Sequence, residues 1–450
     1  MINDMDKMMK INTSLFVIFT FVNVLFAQED LTLSQAIEMG LKNNYQIQIA
    51  ERNIDIAKNN NTLKAAGRHP TINVDLTNNN NFTGQNNPAS FLQEFNSLSG
   101  GLTGSLSGAY TLFDGYSVRI NKRRFEALER QSEGNAKIAI EQTIQSIILA
   151  YYNAQIQKEN INTIKELLKL SKDRIDYQRV RSDFGQGGRF DLLQSEDAYF
   201  NDSTTFLIQQ NSYDIALQNL SLAMGIDDPN VRYVPTDPLT YDDTNYQFEA
   251  LRQKMLDANP NLQNLYVARS LASIETESVE RLMKPTVQLN GGMSYGISTA
   301  RVNIIQPSTF EVDNPNTQQN YNFFVNLSAN YPIYDGGNRR RNIDNAKIQE
   351  MIADLNIEEL KRNLSAQLNN TLANYKNQVQ LIKLTEDRVA NAKENLTIAE
   401  ERFKGAQINS FDYRSIQLSY LNAVQSYLQA IFNVKNTETE LIRLTGGLVR

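Results

Sequence analysis

The chain has 450 residues, a net charge of −6 at pH 7, one His, no Cys and no Trp. Zero Cys excludes disulfides, thiol nucleophiles, thiolate metal sites and a lipidated N-terminal Cys, and the lone His69 excludes His triads and multi-His metal centres. The mild acidity argues against a nucleic-acid binder, which would carry a basic face, and a mean hydropathy of −0.44 excludes a bundle of transmembrane helices. The apolar fraction, 41%, is below that of an ordinary globular domain. Much of the remainder is Asn, Gln and Ser, which suits long solvated faces better than an enzyme's dry core. No catalytic constellation, cofactor motif or metal-ligand cluster is present, so neither enzyme activity nor a cofactor is expected.

The N-terminus reads as an export signal. Lys7 and Lys10 precede an apolar run from Ser14 to Ala27 that is interrupted by Asn23. The run is shorter than the roughly 20 residues a spanning helix needs. Residues 1–27 are therefore expected to be a signal peptide cleaved after Ala27, although Leu25 is bulky for a cleavage site and an uncleaved anchor is the alternative. No later segment is long and apolar enough for a membrane helix. A mature chain that meets a membrane must do so as strands or as a surface helix.

The rest of the chain is duplicated. Tyr110-Thr-Leu-Phe-Asp-Gly115 resembles Tyr331-Pro-Ile-Tyr-Asp-Gly336, 221 residues further on. The same offset pairs Phe190-Asp191 with Phe411-Asp412, Leu220 with Leu441 and Gly225 with Gly446. The first unit is expected over 28–226 and the second over 246–450. Between them 227–245, with Pro229, Pro235, Pro238 and several Asp, reads as a linker.

Each unit opens on a helical stretch (31–68 and 246–283) and continues with two alternating stretches. In 286–298 Val287, Leu289, Met293, Tyr295 and Ile297 alternate with Gln288, Asn290, Ser294 and Ser298. In 321–333 Phe323, Val325, Leu327, Ala329 and Tyr331 alternate with Asn326, Ser328 and Asn330. A period of two places these sets on opposite faces of strands. Strands are expected over about 71–84, 100–113, 286–299 and 321–334, with long polar loops over 78–100 and 299–320. Strands of about ten residues, apolar on one side and small-polar on the other, are the mark of an outer-membrane barrel. A soluble β-sandwich is the alternative. Four strands cannot close a barrel, so closure demands several chains.

Long helices are expected over 118–182, 190–225, 338–404 and 411–445. Leu372, Tyr375, Val379 and Ile382 alternate gaps of three and four, as do Tyr413, Ile416, Tyr420, Ala423 and Tyr427. This is a coiled-coil seam, and 65 residues of helix reach about 97 Å. Packing into a tube and an ordinary coiled coil would give similar stripes. The turns are Asp183-Phe-Gly-Gln-Gly-Gly-Arg-Phe-Asp191 and Phe403-Lys-Gly-Ala-Gln-Ile-Asn-Ser-Phe-Asp412. Their glycines are expected to permit the reversal. Asp191 and Asp412 sit in the first turns of the returning helices, where they complement the dipole and could form a ring of carboxylates at the tip of a symmetric tube. Asp114-Gly115 and Asp335-Gly336 mark strand-to-helix junctions.

The two Tyr-x-x-x-Asp-Gly junctions, the tips Phe190-Asp191 and Arg402-Phe403…Gly405…Phe411-Asp412, and the closing Leu-x-x-x-x-Gly elements at Gly225 and Gly446 together resemble the TolC-like outer membrane efflux protein family, over residues 31–447. The resemblance implies an α+β homotrimer in the outer membrane of a Gram-negative bacterium. A twelve-stranded barrel, four strands from each chain, would continue into a long periplasmic α-helical barrel. It implies contact with outer membrane lipid, a periplasmic adaptor and an inner-membrane transporter as partners, and no nucleic acid. Asp412 falls where the family has a pore-lining aspartate; the second, three residues on, is Ser415 here. Asp191 matches the aspartate that holds the closed gate through a tyrosine, whose position is Phe403, and a gating arginine position is Ile408. Arg189 and Arg402 are the candidates for a different latch. The adaptor-docking turns would be Gly185, Gly187, Gly188, Arg189, Gly405, Ala406 and Gln407. The function so implied is the passive exit duct of a tripartite efflux or type I secretion system. A secreted coiled-coil adhesin with a β head is the alternative.

Overall fold

The computed structural model describes residues 28–87, 89, 94–228, 232–241, 243–306 and 316–448; the expected signal segment and its cleavage point after Ala27 lie outside them. In chain order the elements are β1 (Gln28–Leu31), α1 (Leu33–Asn43), α2 (Tyr45–Asn60), β2 (Thr71–Asn86), β3 (Glu94–Phe113), α3 (Ser117–Asp183), α4 (Arg189–Ala223), β4 (Arg232–Pro235), α5 (Phe248–Ala258), α6 (Pro260–Glu280), β5 (Thr286–Gln306), β6 (Asn316–Asn330), α7 (Asn338–Lys404) and α8 (Ser410–Leu444). The two halves are matched in length: α3 and α7 have 67 residues each, α4 and α8 have 35 each. A 67-residue helix is about 100 Å long at about 1.5 Å per residue. No helix among the described residues is long and apolar enough to cross a membrane.

The four long strands form one antiparallel sheet in the order β2-β3-β5-β6, so β2 and β6 are its edges. Val74, Leu106, Met293 and Phe323 share one register row. Next to it, toward the helices, lie Ile72, Gly108, Gly291 and Val325; away from them lie Leu76, Gly104, Tyr295 and Tyr321. The opposite face carries Asp75, Ser105, Ser294 and Asn322 in one row and Thr77, Thr103, Gly296 and Asn320 in the next. Among the described residues no second layer covers the apolar face: Val74 is 79% and Phe323 73% exposed. A sandwich would have buried them. From Val287 to Ile297 the band spans about 34 Å along the strand at about 3.4 Å per residue. A tilt of about 45° makes that about 24 Å, the height of a lipid-facing band.

Two expectations are corrected here. The loops over 78–100 and 299–320 are largely strand: β2 continues to Asn86, β3 begins at Glu94, β5 continues to Gln306 and β6 begins at Asn316. Beyond the row of Asn78, Leu102, Ile297 and Gln319 most side chains on both faces are polar, so the alternation ends while the backbone ladder does not. β6 stops at Asn330 rather than near 334, because Pro332 has no N–H to give the ladder. Tyr295 lies at mid-strand, opposite Tyr321 toward the outer rim of the apolar band.

The connector 227–245 is also more than a linker. β4 pairs in parallel with β1, from Gln28 opposite Arg232 to Leu31 opposite Pro235. Asp237 accepts from the Leu33 N–H at 2.7 Å and from the Tyr151 hydroxyl at 2.9 Å, while Leu239 and Tyr241 pack on the core of the second half. Each half closes in the same way. Asn44 caps α2 and donates to the Ala223 carbonyl at 3.0 Å; Asn259 caps α6 and donates to the Leu444 carbonyl at 3.0 Å. Beside these joints Gly225 and Gly446 turn the chain at φ +72° and +65°. A Cβ on Gly225 would lie 2.7 Å from the Asn43 carbonyl, and one on Gly446 2.4 Å from the Ala258 oxygen. The final glycine of each Leu-x-x-x-x-Gly element is thus required by backbone touching backbone.

Candidate functional site at the helical tips

The α3–α4 turn is made by Gly185 in the left-handed region, φ +71°, whereas Gly188 has φ −79°. In the α7–α8 turn the equivalent left-handed residue is Ala406, φ +55°, and Gly405 has φ −80°. The expectation that Gly405 provides the reversal is corrected by one residue. An alanine is held where an L side chain costs about 1–2 kcal/mol. Asp412 lies in the first turn of α8. Its N–H donates to Asn409 Oδ1 at 2.8 Å, and Asn409 Nδ2 donates to its carboxylate at 2.9 Å. Asp412 and Ser415 are exposed, Asp191 is half-buried, and Arg189 and Arg402 are exposed with no carboxylate partner among the described residues.

Asp191 and Asp412 are not brought to one level. Ser195 Oγ meets Ser410 Oγ at 3.4 Å, and the Tyr177 hydroxyl donates to the Lys404 carbonyl at 3.3 Å. Ser195 is six residues into α4 while Ser410 opens α8, and Tyr177 is six residues before the end of α3 while Lys404 ends α7. Both contacts set the first tip about 9 Å beyond the second.

Phe403, expected at the gate, is only 3% exposed. Its ring stacks on Tyr413 at 4.7 Å and lies 4.9 Å from Tyr177, so it faces the helix seam. Ile408 packs against the same cluster.

A polar cluster just above the tips escaped the sequence reading. Asp202 of α4 receives Arg414 of α8 bidentately, at 2.5 and 2.8 Å, and accepts from the Ser171 hydroxyl of α3. Both ion partners are largely buried, with side-chain exposures of 5% and 17%. Arg174, 2% exposed, stands beside them with Nε and one Nη unpaired; burial pulls its guanidinium down to about 10, the Arg414 charge adds to that, and the Asp202 charge opposes it. No periodic signal marks it in the sequence, since near the tips α3 and α4 also bury the polar Ser171, Gln178 and Ser195.

A one-layer sheet with an open apolar face, carried on helices of about 100 Å, suits two media in one chain: lipid at the sheet and water along the helices. That pairing defines an outer-membrane β protein with a long helical extension. The family described as "Outer membrane efflux protein" matches residues 36–226 and 251–447, and the chain belongs to it. Nodulation protein T of Rhizobium leguminosarum bv. trifolii is 22% identical over 426 residues, which cover 91% of this chain and 86% of that protein. The antibiotic efflux pump outer membrane protein ArpC of Pseudomonas putida is 20% identical over 430 residues, 93% and 83% of the two chains. Among solved structures, the Campylobacter jejuni CmeC outer membrane channel superposes with a TM-score of 0.70 at 16% identity, covering 92% of this chain and 85% of its own. The open state of the Neisseria gonorrhoeae MtrE outer membrane channel superposes with a TM-score of 0.66 at 18% identity, covering 92% and 89%. The chain is thus an outer membrane protein of the Gram-negative envelope, with its helical portion on the periplasmic side.

Proposed function

We propose that three copies close β2 of one chain against β6 of the next into a twelve-stranded barrel, and that the long helices continue it as a tube across the periplasm. The observation that carries this reading is the pair of free sheet edges flanking an exposed apolar band. In hydrocarbon each unpaired backbone group costs several kcal/mol, and a ring of chains removes every edge. The assembly is a passive exit duct of a tripartite efflux or type I secretion system. It opens when a periplasmic adaptor docks on the turns around Gly185, Gly187, Gly188, Arg189, Gly405, Ala406 and Gln407, linking it to an inner-membrane transporter. Asp191 and Asp412 are carboxylate constrictions at two levels. The polar sheet face with Asp75 lines the lumen.

Reconstitution of the purified chain into planar bilayers tests this. Discrete conductance steps from a crosslinkable trimer are expected. A chain that remains monomeric in membranes, or trimers with no conductance with or without an adaptor, would refute it.

A further inference from the structure

At the base of β3, where Tyr110 stands on the apolar face and the ladder shifts register between Thr111 and Phe113, a cleft of about 570 Å³ is lined by Tyr110 and Leu112 of the strand and by Arg68, Arg119, Lys122 and Arg123. We propose that this cleft holds one anionic phospholipid of the periplasmic leaflet, with its phosphate on Arg68 and Arg119 and its acyl chains running up the sheet beside Tyr110 and Leu112.

The charge accounting at the site favours an external anion. Lys122 is committed to Asn61 at 2.6 Å and Glu126 at 2.9 Å, and Arg123 to Glu277 at 2.6 Å. The carboxylate of Asp114, which also lines the cleft, accepts the N–H of Ser117 at 3.0 Å and its hydroxyl, so it serves the start of α3. Arg68 and Arg119 are exposed and have no ion pair or side-chain hydrogen bond among the described residues. Lys284 adds a further cation next door that has no carboxylate partner among the described residues, its Nζ 4.7 Å from the centre of the exposed Tyr116 ring. In a chain of net charge −6, a locally cationic cleft is not a by-product of composition.

The polarity of the cleft also fits a lipid better than a free anion. Its apolar end is continuous with the lipid-facing band, since Tyr110 pairs with Leu289 in the row next to Gly108 and Gly291. Its basic end lies on the helix side. A phospholipid of the periplasmic leaflet has the same order, with acyl chains toward the band and phosphate toward the helices. Basic pockets at the edge of a membrane recognise anionic headgroups, and long cationic side chains reach the interface from below. Such a site exists only if the sheet stands in lipid, as proposed above.

The test uses full-length wild type and the R68A/R119A and R68K/R119K variants, purified in non-ionic detergent. Each is equilibrated with equal amounts of phosphatidylglycerol and phosphatidylcholine, and retained lipid is counted by native mass spectrometry; bilayer conductance is recorded in parallel. Wild type is expected to retain phosphatidylglycerol preferentially, one per chain. R68A/R119A should lose about twenty-five-fold of that preference, at about fivefold per guanidinium removed, and R68K/R119K should keep most of it. Conductance equal to wild type shows that the variants fold. Absence of a preference in wild type, its persistence in R68A/R119A, or its complete displacement by millimolar inorganic phosphate would overturn the lipid site. Conducting wild-type protein without lipid preference overturns this site alone, whereas wild type that neither inserts nor conducts overturns the barrel reading with it.

Discussion

Asp202→Ala removes the one carboxylate that faces two buried guanidiniums. Wild-type Asp202 holds Arg414 through two hydrogen bonds, at 2.5 and 2.8 Å, and accepts from Ser171. The substitution leaves Arg414 without its partner and Arg174, already 2% exposed, without the nearest opposing charge. Two unit charges about 4 Å apart interact by about 4 kcal/mol at an effective dielectric of about 20, and breaking a buried pair from one side typically costs about 3–5 kcal/mol. The pair ties α4 to α8 just above the tips, so the loss falls on local opening of the helical ends. Amide exchange in 168–178, 198–206 and 410–418 should speed up by about a hundredfold or more, the equivalent of about 3 kcal/mol. As a control, Arg52→Ala breaks an ion pair whose side chains are 77% and 53% exposed, and such pairs contribute at most about 1 kcal/mol. Combining Asp202→Leu with Arg174→Met and Arg414→Met should recover most of the loss, since apolar groups replace ions without leaving a charge unpaired. Exchange rates of Asp202→Ala within about twofold of wild type, or no recovery in the triple variant, would refute the reasoning.

Three further outcomes are expected. Glu141 is 4% exposed, and burial holds its carboxyl up at about 7 against the pull of Arg443 and Lys137. The folded chain keeps a proton there that the unfolded chain releases near 4.5, so this stability is full below about pH 4.5 and is lost as pH rises through about 7. Glu141→Gln should flatten the pH dependence of the melting temperature between pH 4.5 and 8 and raise the unfolding free energy at pH 8 by up to about 3 kcal/mol; an unchanged slope counts against it. Gly446→Ala adds a backbone overlap to a left-handed residue and should cost about 3 kcal/mol or more. Gly185→Ala, with open space around its Cβ, should cost about 1 kcal/mol, and Ala406→Gly should gain about 0.5–1 kcal/mol. Denaturant melts that rank these three in another order would remove the close-approach account of Gly446. Finally, Asp412→Ala should weaken cation selectivity in reconstituted channels, read as a shifted reversal potential in a salt gradient; an identical potential would exclude Asp412 from the constriction.

Periodicity carried far in this chain. The alternation of Val287 to Ile297 with small polar residues fixes a two-faced strand wherever the chain ends up, and the seam Leu372, Tyr375, Val379 and Ile382 is buried along α7. The equal offset of Leu220 and Leu441 from their glycines signalled duplication, and both glycines prove to be points of contact between backbones. Family membership itself was legible from the order of the motifs. What failed was local reading at places where the partner is remote. Asn78–Asn81 looked like loop because pairing through the backbone leaves no side-chain pattern. The connector looked like a tether because its strand is completed by residues some 200 positions away. Gly405 looked like the turn because a sequence marks the residue best suited to φ > 0, not the one that adopts it.

The tip shows the same division. From composition alone, Asp191 and Asp412 are carboxylates at the starts of helices, and that is as far as local chemistry reaches. Their difference in level follows from how α4 slides against α8, fixed by contacts such as Ser195 with Ser410. Phe403 carries no mark in the sequence that separates a pore-lining ring from a packed one; the rings of Tyr177 and Tyr413, from two other helices, decide it. The sequence by itself determined two faces per strand, long seams and a repeated half, because those are periodic properties of a single segment. Only the tertiary structure decided which charges meet, which turn projects and which face stays open, because those depend on segments distant in the chain arriving at one place.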